Sequence, residues 1–136
     1  MKVLHIMHHG VETIGPENTA LEAARKMHDM HIGALPVVNN EQILGILTDR
    51  DICCKVVANG YDAHTTLVHE IMTRELVTCY DDQEIEEAVD VMANMHLHRL
   101  AVLSRSNSLS GMLSVDDLTQ ASLDMAGTVL EASTDY

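Results

Sequence analysis

The chain is expected to fold as an α/β (α+β) protein of two tandem repeats, each a helix, two strands and a second helix. Three observations carry this expectation. First, the sequence matches itself. At an offset of 65, residues 6–37 against 71–102 share ten identities in 32 positions, among them Ile6/Ile71, Met7/Met72, Glu22/Glu87, Met27/Met92, His31/His96 and Leu35/Leu100, where chance would give about two. After one extra residue the offset becomes 66, and Gly45, Leu47 and Asp51 match Gly111, Leu113 and Asp117, with Thr48 facing Ser114. Second, each copy shows apolar residues at helical spacing followed by short continuous apolar runs. Third, the 136 residues are 46% hydrophobic and 21% charged, a globular composition. A repeat of about 60 residues buries little surface alone, and two copies together bury more.

The elements follow in order. Thr19 to Met30 places Ala20, Leu21, Ala23, Ala24, Met27 and Met30 on a helical stripe, with Asn18 or Thr19 as the N-cap. Ala34–Val38 and Ile43–Leu47 read as two strands joined by a turn at Asn39-Asn40. A second helix runs from Thr48 through Ala58 and stops at Asn59-Gly60. The second copy predicts a helix from Glu84 to Met95, strands over 99–103 and 110–113, and a helix from 115. The boundaries expected are repeat 1 over 1–60, a connection over 61–70, repeat 2 over 71–132 and a loose tail over 133–136.

Charge and composition exclude several function classes. Eight Lys+Arg against 21 Asp+Glu give −13 with His neutral, which opposes binding to nucleic acid or to anionic lipid. With no Trp, no Phe and three Tyr, the chain lacks stacking platforms for bases. No apolar run reaches the ~18–20 residues of a membrane span, and the first residues make a poor signal peptide, so a cytoplasmic location is expected. Cys53, Cys54 and Cys79 are too few for a disulfide framework and fit no CxxC motif. His5, His8, His9, His28, His31 and His96 show no zinc spacing, and three of them fall near helix C-termini, where a cation is favoured. No metal or other cofactor is expected. No nucleophilic triad or P-loop appears, so the chain is not expected to be an enzyme.

The segments I-M at 6–7, T-I-G-P at 13–16, I-G-A-L-P-V at 32–37 and G-I-L-T-D-R-D at 45–51 resemble a CBS domain. E-I-M-T at 70–73, R-L-A-V at 99–102 and G-M-L-S-V-D-D at 111–117 repeat the pattern. The whole chain therefore resembles a tandem CBS pair, or Bateman module, of the small stand-alone bacterial type. Ala101 departs from the Pro usual there. The resemblance implies two β-α-β-β-α units related by pseudo-two-fold symmetry. It also implies a regulatory sensor that binds an adenosine-containing ligand (AMP, ADP, ATP, NAD, S-adenosylmethionine or a cyclic dinucleotide) in clefts between repeats and signals to an unknown downstream protein.

The residues can be weighed independently of the resemblance. Gly45-x-x-Thr48-x-x-Asp51 sets a hydroxyl and a carboxylate at a strand-to-helix joint, where free N–H groups favour phosphate. Asp51 can accept two hydrogen bonds from a ribose diol, and Thr48 can donate to a phosphate oxygen. Ser114 and Asp117 repeat the arrangement. From these residues alone a capping box with no ligand is the favoured reading, and the two copies inside a CBS-like repeat turn it toward ligand binding. By resemblance, His98 and Arg99 would reach the phosphates of the ligand whose ribose meets Asp51. Gly33 and Ala34 hold the equivalent positions without charge. On this view Asp51→Ala weakens nucleotide binding at least tenfold. The alternative function is a ligand-free module that dimerises and docks on a partner. Met27, Met30, Met92, Met95, Ile52 and Leu118 are the apolar residues expected to face a second copy in a homodimer.

Overall fold

A computed structural model describes residues 1–121; the tail expected over 133–136 lies outside them. The described chain forms two compact units, Glu12–Leu76 and Met1–Val11 with the described residues that follow Leu76. The expected mixed α/β architecture of paired helix–strand–strand–helix repeats is what the structure contains.

In the unit Glu12–Leu76, α1 (Ala20–Met30) starts on Thr19, whose hydroxyl accepts from Glu22 N–H at 3.1 Å while the Glu22 carboxylate accepts from Thr19 N–H at 2.9 Å. This reciprocal capping box fixes the helix start. Ala20, Ala23 and Met27 face inward at i, i+3 and i+7. The helix ends at His31, which takes the left-handed conformation at φ 56°. β1 (Ala34–Asn39) and β2 (Gln42–Thr48) then pair antiparallel, Ala34 opposite Thr48 and Leu35 opposite Leu47. Their tight turn is at Asn40-Glu41, one residue beyond the Asn39-Asn40 expected, with both residues at positive φ, 52° and 67°. Two positive φ values match the twist of the flanking strands. α2 (Asp49–Ile52) continues as a π-helical turn over Cys53–Val57, where the sequence predicts one regular helix. The connecting segment includes a short helix, α3 (Val68–Ile71). Thr73 beyond it pairs with Ile46 through N–H···O bonds of 2.9 and 3.0 Å.

The other unit repeats the plan. β3 (Thr78–Tyr80) runs parallel to β4 (Arg99–Leu103), which pairs antiparallel with β5 (Leu109–Ser114). α4 (Ile85–Met95) ends at His96, left-handed at φ 56° like His31, and α5 (Val115–Ala121) follows β5. Met1–Val11 completes this unit, with a 3-10 turn at Val3–His5 and a bridge from His8 to Met112.

The packing therefore permutes the repeat. Val3 and Met7 are buried among Ile85, Met92, Leu100, Leu113 and Leu118 of the second copy. Their repeat partners Val68 and Met72 are buried among Ala23, Met27, Leu35 and Leu47 of the first. Gly45 and Gly111 make this possible. A Cβ at Gly45 would stand 2.6 Å from the Thr73 carbonyl oxygen, and one at Gly111 would stand 2.5 Å from that of His8. Only glycine admits backbone that close.

The departure at Ala101 has a structural consequence. β3 makes three register pairs with β4, Thr78 with Ala101 first, whereas its repeat equivalent is reduced to one bridge, Ile14 with Val37. Pro36, the counterpart of Ala101, has no N–H to extend that ladder.

The expectation about the assembly face needs correction at three residues. Met27, Met92 and Leu118 are buried in the cores of their own units. Met30 and Met95 remain 47% and 55% exposed, and Ile52 is half-buried.

Candidate functional site: two capped strand-to-helix joints

Both Thr/Ser-x-x-Asp segments are reciprocal caps. Thr48 Oγ1 accepts from Asp51 N–H at 3.1 Å, and Asp51 Oδ2 accepts from Thr48 N–H at 3.0 Å. Ser114 Oγ accepts from Asp117 N–H at 3.2 Å, and Asp117 Oδ2 accepts from Ser114 N–H at 2.9 Å and from its hydroxyl at 3.0 Å. The chain leaves the sheet at Thr48 and at Ser114, and the carboxylate three residues on satisfies the N–H freed there.

Two residues that the motif does not contain reach Asp51. Lys55 Nζ lies 3.1 Å from its Oδ1 and also donates to the Ile71 carbonyl at 2.9 Å. The Thr73 hydroxyl donates to the carboxylate at 3.3 and 3.4 Å. Asp51 is only 8% exposed and is one of the few buried polar residues. Lys55 had a local signal, the i, i+4 spacing from an acid on a helix. Thr73 had none, because its contact is made across 22 positions.

Arg99 opens β4 directly opposite Ser114 in register, and it is exposed. In-register neighbours of an antiparallel pair share a face of the sheet, so a guanidinium and the Ser114 hydroxyl stand on one side. The His98 carbonyl accepts from Val115 N–H at 3.0 Å. In the other unit Ala34 lies opposite Thr48, and the Gly33 carbonyl accepts from Asp49 N–H at 2.9 Å. Thus Arg99, His98, Ser114 and Asp117 belong to one unit, and Thr48 and Asp51 to the other.

Among the described residues no group of three or more His, Cys, Asp or Glu is arranged to hold a metal ion. His9 Nε2 instead meets the Leu4 carbonyl at 3.2 Å, and His28 Nδ1 meets Asp29 at 3.2 Å. Cys53 and Cys54 are exposed free thiols, and Cys79 is buried. No helix among the described residues is long and apolar enough to cross a membrane.

Two α/β repeat units, each with a capped carboxylate at the exit of its last strand, define a tandem repeat module. The model of the CBS domain matches residues 3–57 and again 68–124, so the chain belongs to the CBS domain family and carries a pair of these domains. It is 38% identical over 122 residues to the CBS domain-containing protein YhcV of Bacillus subtilis, covering 88% of this chain and 86% of that protein. It is 32% identical to an uncharacterized protein of Methanopyrus kandleri, where 89% of this chain spans 62% of the relative. It is also 32% identical to the inosine-5'-monophosphate dehydrogenase of Methanocaldococcus jannaschii, but there it spans only 25% of the enzyme. Among solved structures, a CBS domain superposes with a TM-score of 0.80 at 32% identity, covering 90% of this chain and 98% of that one. A CBS domain pair solved with 5'-methylthioadenosine and S-adenosyl-L-methionine shares the fold at 23% identity, with a TM-score of 0.77 and coverage of 89% and 94%.

Proposed function

We propose that this chain is a regulatory module that binds an adenosine-containing ligand and passes its bound state to a partner protein. The carrying observation is the repeated joint, a hydroxyl and a carboxylate paired across the first turn of a helix in both units. A carboxylate there accepts from both hydroxyls of a ribose. A guanidinium beside a serine hydroxyl suits phosphate, since its fork of donors matches the oxygens. On this reading one of the two carboxylates, Asp51 or Asp117, takes the ribose, while the Thr48 or Ser114 hydroxyl, His98 and Arg99 serve the phosphates. The adenosine compounds in the related CBS pair guide the choice of probes and nothing more. The module would act in the cytoplasm and carry out no chemistry of its own.

A second reading has its own support. Both caps are complete without a ligand, and Met30, Val57, Tyr61 and Met95 leave apolar surface exposed. This favours a ligand-free module that works by association.

Mass action separates the two. A ligand that binds only the native state at 100 times its Kd adds about 2.7 kcal/mol to stability, which raises Tm by several degrees in a chain of this size. Melting the protein with AMP, ADP, ATP, NAD, S-adenosylmethionine and cyclic dinucleotides is expected to show such a rise with at least one. Identical melting with all of them supports the association module.

A further inference from the structure

The two joints share one repeat but not one environment. Asp51 is engaged by the Thr48 N–H, the Thr73 hydroxyl and the Lys55 ammonium, and its side chain is only 10% exposed. A carboxylate offers about four acceptor positions, so three donors on a nearly buried group leave little for a ligand diol. Among the described residues, every hydrogen bond to the Asp117 carboxylate runs to Oδ2. Ala121, at the repeat position of Lys55, cannot donate, and His8 stands at that of Thr73; among the described residues the Asp117 carboxylate is bonded from Ser114 and from neither of these positions. The neighbouring strand deepens the contrast. Arg99 faces Ser114, whereas Ala34 faces Thr48.

Resting on the ligand-binding reading above, we infer that Lys55 is a specificity-determining residue that makes the two joints unequal. With Thr73 it closes Asp51 as an internal cap, so the ligand's ribose goes to Asp117, beside Arg99, at one ligand per chain. Lys55 acts through Asp51 and touches no ligand. The Ile71 carbonyl that also accepts from Lys55 fixes the ammonium over the carboxylate, so closure does not depend on the ion pair alone. Asp117 then carries the binding in place of Asp51, the carboxylate to which the resemblance assigns the ribose.

Titration calorimetry with AMP, ATP and S-adenosylmethionine on the full chain tests it. Wild type is expected to bind one equivalent. Asp117→Ala should weaken that event at least tenfold, and Asp51→Asn should leave it within about threefold. Lys55→Met with Thr73→Val strips both donors from Asp51 and should add a second, weaker event, while Lys55→Arg keeps a single one. Loss of stability alone cannot create a binding event, which separates this role from a merely structural one. Circular dichroism melts establish that each variant is folded; if the double variant is not, Lys55→Met alone is titrated for the second event. Binding lost in Asp51→Asn and kept in Asp117→Ala overturns the inference alone, as does a single event in the donor-stripped variant. No heat from any probe with any variant overturns the ligand-binding reading together with it.

Discussion

At the scale of the residue, Cys79 shows how burial alters chemistry. Desolvation inside the sheet, with the Asp81 carboxylate nearby, pushes its thiol up to about 11 from an ordinary 9.0. The folded state then holds a proton that the unfolded chain gives up first. Stability from this group is complete below pH 9 and is lost as pH rises from 9 towards 11. Melting temperatures between pH 8 and 10.5 should fall more steeply for wild type than for Cys79→Ala; parallel curves would show that the thiol carries no linkage. At the acid end the signs reverse. Glu22 is held below the ordinary carboxylate range by the Thr19 N–H, Asp82 by the Arg105 guanidinium, and Glu84 by the N-terminal ammonium. Their contribution is present at neutral pH and is lost as pH falls below the ordinary values, 4.5 for the two glutamates and 3.8 for Asp82. The same scale explains what was readable at the joints. The pairing of Thr48 with Asp51 is a contact over three residues, so the capping alternative was visible in the sequence. The hold of Thr73 on Asp51 was not, because no local pattern couples residues 22 apart.

At the scale of the element, the two glycines carry the most weight. Each unit lays a segment from the other sequence repeat across β2 or β5, Thr73 against Ile46 and His8 against Met112. Gly45 and Gly111 lie under those crossings, facing carbonyl oxygens and the sulfurs of Met72 and Met7. Gly45→Ala or Gly111→Ala puts a methyl into backbone, which cannot swing aside as a side-chain tip can. Each is expected to cost roughly 2–3 kcal/mol, read as a lower denaturation midpoint in urea with an unchanged slope. An unchanged midpoint would mean that the crossing segment gives way freely. Helices and hairpins were legible because their signals are local: the Thr19/Glu22 box, the Ala20–Ala23–Met27 stripe and the turn beside Asn40. β3 is legible only through the resemblance, whose β-α-β-β-α unit begins with a strand. The residues themselves do not show it, because Thr78–Tyr80 is too short to carry a period and a parallel pairing with Arg99–Leu103 leaves no mark on nearby sequence. The π-helical turn at Cys53–Val57 escaped for a related reason. Its apolar spacing fits a regular helix almost as well.

At the scale of the whole molecule, the exposed apolar side chains point to association. Met30, Val57, Tyr61 and Met95 are 47%, 69%, 61% and 55% exposed, each a large group left in water. We propose a homodimer with closed two-fold symmetry, the commonest solution for such surfaces. A net charge of −13 on each chain repels its copy, so salt should tighten the dimer. Light scattering at micromolar concentration and moderate salt is expected to give about 30 kDa, twice the 15.0 kDa chain. A mass that stays near one chain at every salt concentration would remove the dimer from the proposal.

The sequence by itself determined the duplication, the alternation of helix and strand, and the family, because each is written in spacing along the chain. Ten identities at a constant offset need no coordinates. The tertiary structure alone decided which half each N-terminal segment completes, with Val3 and Met7 packing on the second copy and Val68 and Met72 on the first. It also decided that Asp51, already within reach of Lys55 by their i, i+4 spacing, is held by Thr73 from 22 positions away. Both outcomes turn on contacts between residues far apart in sequence. Their free energy comes from burial and donor geometry in three dimensions, and repeat-equivalent positions can differ there while their motifs look alike.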